Sequence, residues 1–400
     1  MSKSVKIIGI GTGINTITMK GLETLKESEV IIGATRMLEV CKGYGSVIFE
    51  TKRVVDEYKS ENIKACVDEG KENQFAVLVS GDTGFYSLAS VIVETLSEYE
   101  VEVIPGISSV SSMSSRIGIP WQDTKLISCH GRKCNFVDAI RRNKYTFMLT
   151  GGNVCEILEC LEDKGFGELK AYIGSRLDME EESVVSGSIS ELKGGVYDTI
   201  SVMVVVNDQY DDRVLTGIDD GRFIRGEVPM TKSEVRAVLM SQLAIRPGDI
   251  CYDYGCGTGS VTVEMALSAY EGHVYAIDKK PEAVSLTQKN IDKFHIGNVT
   301  IIEGSAPDDL IAEAPDVAFI GGSTGKIASM IEHLLSVNPK VRIVINAIAL
   351  ETVSESVKVL ADKGIETSVT QVSINKSKQV GSINMMMAQN SVFIIKGEKI

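Results

Sequence analysis

The chain has 400 residues but one Trp and four His, and its eight Cys include no Cys-x-x-Cys pair. No Cys and His share zinc-ligand spacing, so a zinc site is excluded and the cysteines are expected to be reduced and buried. Basic residues are in deficit: 41 Lys and Arg stand against 54 Asp and Glu, a net charge of −13. Non-specific binding to nucleic acid needs a basic footprint, so the charge argues against that partner class, although local clusters can still meet a small anion. No apolar run approaches membrane-spanning length, and the first residues show no signal-peptide pattern. A cytoplasmic protein without membrane contact is therefore expected. Internal repeats and low-complexity stretches are also missing. The 44% apolar and 24% charged residues are ordinary for a globular protein, and the length is too great for one core.

Glycine is what the chain does have, 37 residues of it, and it concentrates in two similar turns. The first reads Gly9-Ile10-Gly11-Thr12-Gly13, and the second Asp253-Tyr254-Gly255-Cys256-Gly257-Thr258-Gly259. Such turns bring a ligand against bare backbone and aim N–H donors at it, so Gly9, Gly11, Gly13 and 255–259 are candidate cofactor contacts.

Apolar runs alternating with amphipathic stretches predict an α/β architecture. In the first half, strands are expected at 5–10, 30–32, 47–49, 75–80 and 101–104, with helices at 19–26 and 86–96. A second lobe is expected to take strands 125–128, 145–149, 170–173 and 200–206. Residues 207–226 are polar, acidic and glycine-dotted, and read as a linker. Beyond them, helices are expected at 232–243 and 261–269. Strands are expected at 249–254, 273–277, 299–302, 317–320, 341–345 and 366–372, with a last pairing segment at 391–395. The division is 1–206, a linker 207–226, and 227–400.

The second turn follows a strand and opens a helix. A dinucleotide fingerprint would need glycine where Ser260 stands. Asp278 ends the next strand, where an acid grips a ribose diol. The combination suits S-adenosylmethionine, and the turn with its downstream acid resembles class I methyltransferases. Further segments narrow the likeness: Val228-Pro229-Met230-Thr231-Lys232, Gly304-Ser305-Ala306-Pro307, Phe319-Ile320-Gly321-Gly322-Ser323, Val344-Ile345-Asn346-Ala347 and Leu350-Glu351-Thr352. In this order they resemble the decarboxylating C15-methylases of corrinoid biosynthesis. That likeness implies cofactor contacts at Thr231, Gly255, Cys256, Gly257, Thr258, Gly259, Asp278 and Ala306. It implies substrate contacts at Gly321, Gly322, Ser323 and Asn346. Family members often carry glycine where this chain has Thr324.

The first turn has companions in Ser80-Gly81-Asp82-Thr83-Gly84-Phe85-Tyr86, Pro105-Gly106-Ile107-Ser108-Ser109-Val110 and Leu126-Ile127-Ser128-Cys129-His130-Gly131-Arg132. This set resembles the tetrapyrrole methylases, closest to the C5-methylating branch, although relatives usually show Pro at the Thr12 and Thr83 positions. The likeness implies a cofactor between two lobes, near Gly81, Asp82, Ser108 and Ser109. Together the halves imply a two-lobed tetrapyrrole methylase (class III) fold followed by a Rossmann-like class I methyltransferase fold. They imply a self-associating enzyme that uses S-adenosyl-L-methionine on a precorrin or cobalt-precorrin.

Several residues carry weaker expectations. His130 is a candidate general base or, more simply, an orienting group. His273, His295 and His333 read as structural or exposed, and Glu264 as a solvated or packing residue. Arg132, Lys133, Arg141, Arg142 and Lys144 form a basic stretch, echoed by Lys376 and Lys378, that is expected to meet substrate carboxylates. Met385-Met386-Met387 reads as a buried strand. Three other functions stay open: a fusion methylating RNA or protein, a nicotinamide oxidoreductase, and an S-adenosylmethionine-binding sensor.

Overall fold

The computed structural model describes residues 3–45, 47–131, 134–213, 215–309, 313–322 and 325–399. It divides into a first unit of Met1–Lys133 and Asn143–Asp208 and a second of Cys134–Arg142 and Gln209–Ile400.

The first unit opens with β1 (Ser4–Gly9), α1 (Met19–Glu27), β2 (Val30–Gly33), α2 (Thr35–Lys42), α3 (Val47–Glu50), β3 (Arg53–Asp56), α4 (Ser60–Glu69), β4 (Gln74–Val79), α5 (Ala89–Thr95) and β5 (Glu100–Ile104). Its strands make a parallel sheet in the order β3-β2-β4-β1-β5. Alternate residues serve opposite faces. Val5, Ile7 and Val77 pack with Ile63 and Ile92, whereas Ile8, Ala76 and Leu78 pack with Leu25 and Leu38. Helices on both faces explain why the inner strands β2 and β4 are unbroken apolar runs rather than alternating ones.

After α6 (Ser109–Ile117) come β6 (Thr124–Ser128), α7 (Phe136–Arg142), β7 (Tyr145–Leu149), α8 (Val154–Asp163), β8 (Lys170–Ser175), β9 (Ser183–Ser188), α9 (Ile189–Leu192) and β10 (Ser201–Val206). All but α7 belong to the first unit, where the second sheet has the order β6-β7-β10-β8-β9. Two expectations need correction. The apolar run at 47–49 is a helical turn, because the sheet position beside β2 goes to Arg53–Asp56, with Val30 opposite Arg53. The helix expected from residue 86 starts at Ala89, since Tyr86 has φ +47°, outside the helical region.

The second unit continues with α10 (Ser233–Leu243), β11 (Ile250–Tyr254), α11 (Ser260–Ser268), β12 (His273–Asp278), α12 (Pro281–Lys293), β13 (Val299–Glu303), β14 (Val317–Ile320), α13 (Ile327–Val337), β15 (Arg342–Ala347) and α14 (Leu350–Asp362). It ends with β16 (Glu366–Val372), β17 (Asn375–Val380), β18 (Ile383–Ala388) and β19 (Val392–Glu398). The sheet order is β13-β12-β11-β14-β15-β19-β16, with β19 antiparallel to both neighbours. Cys251, Val274, Phe319 and Val344 face Leu239 and Val263. Tyr252, Ala318 and Ile345 face Met330 and Leu334.

Helix α7 packs here, although it precedes β7 in the chain. Asn135 Nδ2 donates to the Tyr270 carbonyl at 3.1 Å, and the Arg142 guanidinium lies 4.2 Å over the Tyr270 ring. Val137 fills the space a Cβ on Gly297 would need, at 2.7 Å. The stretch expected as a linker is also anchored: Ile218 and Phe223 are buried in the core. Glu264 is buried rather than solvated. It accepts from the N–H groups of Gly217 (2.8 Å) and Ile218 (2.9 Å) and pairs with the equally buried Arg236 at 2.8 Å. Arg236 also reaches Asp220 at 3.0 Å and the Thr231 and Ile218 carbonyls.

Strands β17 and β18 form a two-stranded ribbon. Met385, Met386 and Met387 lie in it as a strand but are exposed, not buried, because a ribbon has no second layer to cover them. Of the cysteines, Cys41, Cys251 and Cys256 are buried, whereas Cys155 is exposed. Among the described residues no cluster fits a metal ion and no helix is long and apolar enough to cross a membrane.

Candidate active sites

Each unit holds a substantial cavity at the carboxyl ends of parallel strands, the usual ligand position in open α/β sheets. In the second unit, β11 delivers the chain into its glycine turn. Gly255, Gly257 and Gly259 take φ of +81°, +58° and +73°, a region that other residues rarely enter. The turn is held from below: Gly255 N–H donates to the Ile277 carbonyl at 2.9 Å and Gly257 N–H to Asp278 Oδ2 at 3.1 Å. A Cβ on Gly259 would sit 2.8 Å from Thr287, so this glycine seats the turn on α12 and does not reach the cavity. Gly255, Cys256, Gly257, Thr258, Asp278, Thr231, Ala306, Gly321, Gly322 and Asn346 all line a cavity of about 530 Å³. Ser323 lies outside the described residues.

Charge is distributed unevenly around this wall. Burial pushes the Asp253 carboxyl up to about 7, against a 2.5 Å hydrogen bond from Thr262, with the Asp278 charge adding to the rise. Its Oδ1 is buried with no partner, as are Thr258 Oγ1 and Asn346 Oδ1. Burial likewise raises the Cys256 thiol, which keeps it neutral and a poor nucleophile. Asp278 accepts one backbone N–H on each oxygen, from Gly257 and Lys280, and a carboxylate has room for more.

The first unit's cavity, about 610 Å³, is lined from both sheets, with Gly81, Asp82, Ser109 and Thr12 on one side and Ser128, His130, Gly151 and Thr199 on the other. Asp82 ties together the loops after β4 and β5, accepting from Gly84 N–H (2.9 Å) and Gly106 N–H (3.3 Å). Ser108 does not line the cavity. Its hydroxyl caps α6 by accepting from Ser111 N–H at 3.2 Å. His130 is exposed to solvent and lies against Gly151, whose positive φ lets the backbone come under the ring.

Gly9, Gly11 and Gly13 do not line this cavity, contrary to expectation. Gly11 and Gly81 exchange both backbone hydrogen bonds, at 3.1 and 2.9 Å. Gly13 N–H donates to Thr16 Oγ1 at 3.0 Å. A Cβ on Gly9 would be 2.7 Å from Gly106 N, and one on Gly13 would be 2.1 Å from the Asp178 carbonyl. These glycines serve backbone-to-backbone packing, while Thr12 between them lines the cavity.

The basic stretch is also reassigned. Arg141 and Arg142 pair with Asp138 at 2.6 and 3.8 Å, Lys144 with Asp208 at 3.2 Å, and Lys376 with Glu234 at 2.5 Å. Lys378 lies on the exposed ribbon. Arg132 and Lys133 fall outside the described residues. Among the described residues, the cation that lines the first cavity is Arg36, which carried no motif, and neither did Lys279 and Lys280 around the second, whereas Lys232 there closes the quoted Val228–Lys232 segment.

Comparison with known proteins adds the chemistry. Residues 5–193 match the family described as tetrapyrrole (corrin/porphyrin) methylases, and residues 223–399 the precorrin methyltransferase domain. A probable cobalt-precorrin-6B C(15)-methyltransferase (decarboxylating) of Saccharolobus solfataricus is 44% identical over 193 residues, covering 46% of this chain and 97% of the relative. A precorrin-6Y C(5,15)-methyltransferase [decarboxylating] of a Sinorhizobium species is 26% identical over 363 residues, 88% of this chain and 86% of the relative. Among solved structures, a precorrin-6y C5,15-methyltransferase of Geobacter metallireducens covers 47% of this chain and 98% of its own, at 34% identity and TM-score 0.44. The class is thus a tandem methyltransferase, with a tetrapyrrole methylase domain followed by a precorrin methyltransferase domain. More particularly, the chain belongs to the decarboxylating precorrin C15-methyltransferase family and is homologous along most of its length to the precorrin-6Y C5,15-methyltransferases.

Proposed function

We propose that the chain is a bifunctional, S-adenosylmethionine-dependent C-methyltransferase of corrin-ring biosynthesis, acting in the cytoplasm as a homo-oligomer. The first unit methylates C5 of a precorrin-6-type tetrapyrrole. The second methylates C15 and removes the carboxyl group of the ring-C acetate. One observation carries the reading: each unit has its own cavity at its strand ends, and each unit matches a different methylase family. The relatives do not favour RNA or protein as the target.

The second cavity suits the cofactor in size and chemistry. Its glycine turn admits a ligand against backbone, and the spare lone pairs of Asp278 suit a ribose diol. Thr258 offers a hydroxyl oxygen without a partner. Thr231 and Ala306 flank the cofactor side, while Gly321, Gly322 and Asn346 take the substrate side. In the first unit, Gly81, Asp82 and Ser109 hold the cofactor, and His130 is placed to accept a ring proton if one must leave. S-Adenosylmethionine, when bound, supplies an electrophilic methyl group, and positioning is the main demand on the protein.

Methylation of a meso carbon leaves positive charge on the conjugated macrocycle. The electron pair of the breaking C–CO₂ bond neutralises that charge, so loss of carbon dioxide needs no further oxidant. The test is mass spectrometry after incubating the protein with a precorrin-6-type tetrapyrrole, cobalt-free or cobalt-bound, and labelled S-adenosylmethionine. Gain of two methyl groups with loss of one carbon dioxide is expected. Binding of the cofactor without turnover would reduce the protein to a sensor and overturn the reading.

A further inference from the structure

The substrate class just proposed is a flat macrocycle edged with carboxylates, so an acidic protein must present a cation where the ring lies. Among the described residues, the first cavity has one arginine or lysine in its lining, Arg36. It stands in the first turn of α2, directly after β2, and its Nη2 donates to Ser80 Oγ at 3.1 Å. Ser80 follows β4, which neighbours β2 in the sheet. The guanidinium is therefore braced across two adjacent strand ends by a neutral group. Among the described residues no carboxylate pairs with it, unlike Arg116, Arg141 or Arg176, which all hold acidic partners. Desolvation by its surroundings lowers the Arg36 pKa, yet an arginine remains charged at any working pH. The same cavity wall exposes Tyr58, Tyr86, Leu88 and Val91, large apolar surfaces open to a flat partner.

We infer that Arg36 orients the C5-methylation substrate by binding one of its peripheral carboxylates, while these side chains take the face of the ring. The inference rests on the proposed function. A guanidinium fork grips a carboxylate through two parallel N–H donors, which fixes the ring's rotation as well as its affinity.

The full-length protein tests this with the tetrapyrrole and S-adenosylmethionine, by following the methylation without carbon dioxide loss separately from the decarboxylating one. Arg36→Ala should raise KM for the tetrapyrrole in the C5 step at least ten-fold. The C15 step should be unchanged, and so should calorimetric binding of S-adenosylhomocysteine. Arg36→Lys should recover only part of the loss. An unchanged C5-step KM would overturn the inference, and so would loss of S-adenosylhomocysteine binding, which would place Arg36 at the cofactor. An equal fall in the C15 step would also overturn it, since the effect would then not be local. If the unaltered protein transfers no methyl group, the proposed function itself fails and the inference falls with it.

Discussion

Gly9–Gly13 and Gly255–Gly259 read almost alike, yet the fold uses them in opposite ways. In the first turn the N–H groups of Gly11 and Gly13 are taken by Gly81 and Thr16, and the missing side chains let three backbone segments touch. In the second, the turn is anchored from beneath by Ile277 and Asp278, and its outer surface forms the cavity wall. A glycine pattern reports that something comes close. Whether it is backbone or ligand depends on which partners the sheet brings up, and local sequence does not contain that information.

The contrast can be broken experimentally. The largest effect should come from Gly13→Ala, whose Cβ would fall 2.1 Å from the Asp178 carbonyl. A loss of about 4 kcal/mol or more in the first unit's stability is expected, because backbone on both sides leaves no room to yield. Two-wavelength denaturation should show the second unit unaffected. Arg236→Met leaves Glu264 buried without its countercharge and should cost about 3–5 kcal/mol in the second unit. Asp278→Ala should leave both units folded. It should lower C15 methylation and carbon dioxide release about 100-fold, roughly 2.7 kcal/mol, with C5 methylation intact. Equal loss of both steps would mean that the two cavities do not act separately.

Asp253 sharpens the comparison through pH. Its folded pKa of about 7 lies above the usual carboxylate value of 3.8. The folded state therefore holds a proton that the unfolded chain releases, and stability falls as pH rises from about 4 to 7. Asp253→Asn should remove that slope, so the variant gains on the wild type by a few kcal/mol at most between pH 5 and pH 8 (about 1.4 kcal/mol per pKa unit). An unchanged slope in a urea titration would refute it. The smallest effect belongs to Lys144→Ala. Its exposed partner Asp208 makes an unimportant pair, and neither the melting midpoint nor the tetrapyrrole KM should move.

The elements most legible in the sequence were those buried on both faces. Phe75–Val79, Ile250–Tyr254 and Val317–Ile320 are apolar runs closed by glycine or another stop, and the structure has strands there. What escaped was exposed or decided by tertiary partners. Ser183–Ser188 and the first ribbon strand, Asn375–Val380, have no buried face to impose a period on their residues, while Met385–Met387 was legible as a strand but not as an exposed one. Val47–Glu50 has the apolar content of a strand, but Arg53–Asp56 occupies the edge. At the cavities, Asp278 and Gly255–Thr258 could be seen because a short motif fixes their geometry. Arg36 could not, since one arginine after a strand looks like any other until its neighbours prove not to be acidic. The clustered arginines at 141 and 142 looked more promising and turn out to neutralise Asp138.

Helix α7 bears on how this polypeptide can be taken apart. Scissors placed after residue 206 would leave Val137 and Ile140 on the severed front piece and open a notch beside Gly297 on the back piece. Whoever wishes to study either methylation alone should graft 134–142 onto the rear fragment or silence one cavity in the intact chain. A clean bisection by sequence position would damage both products.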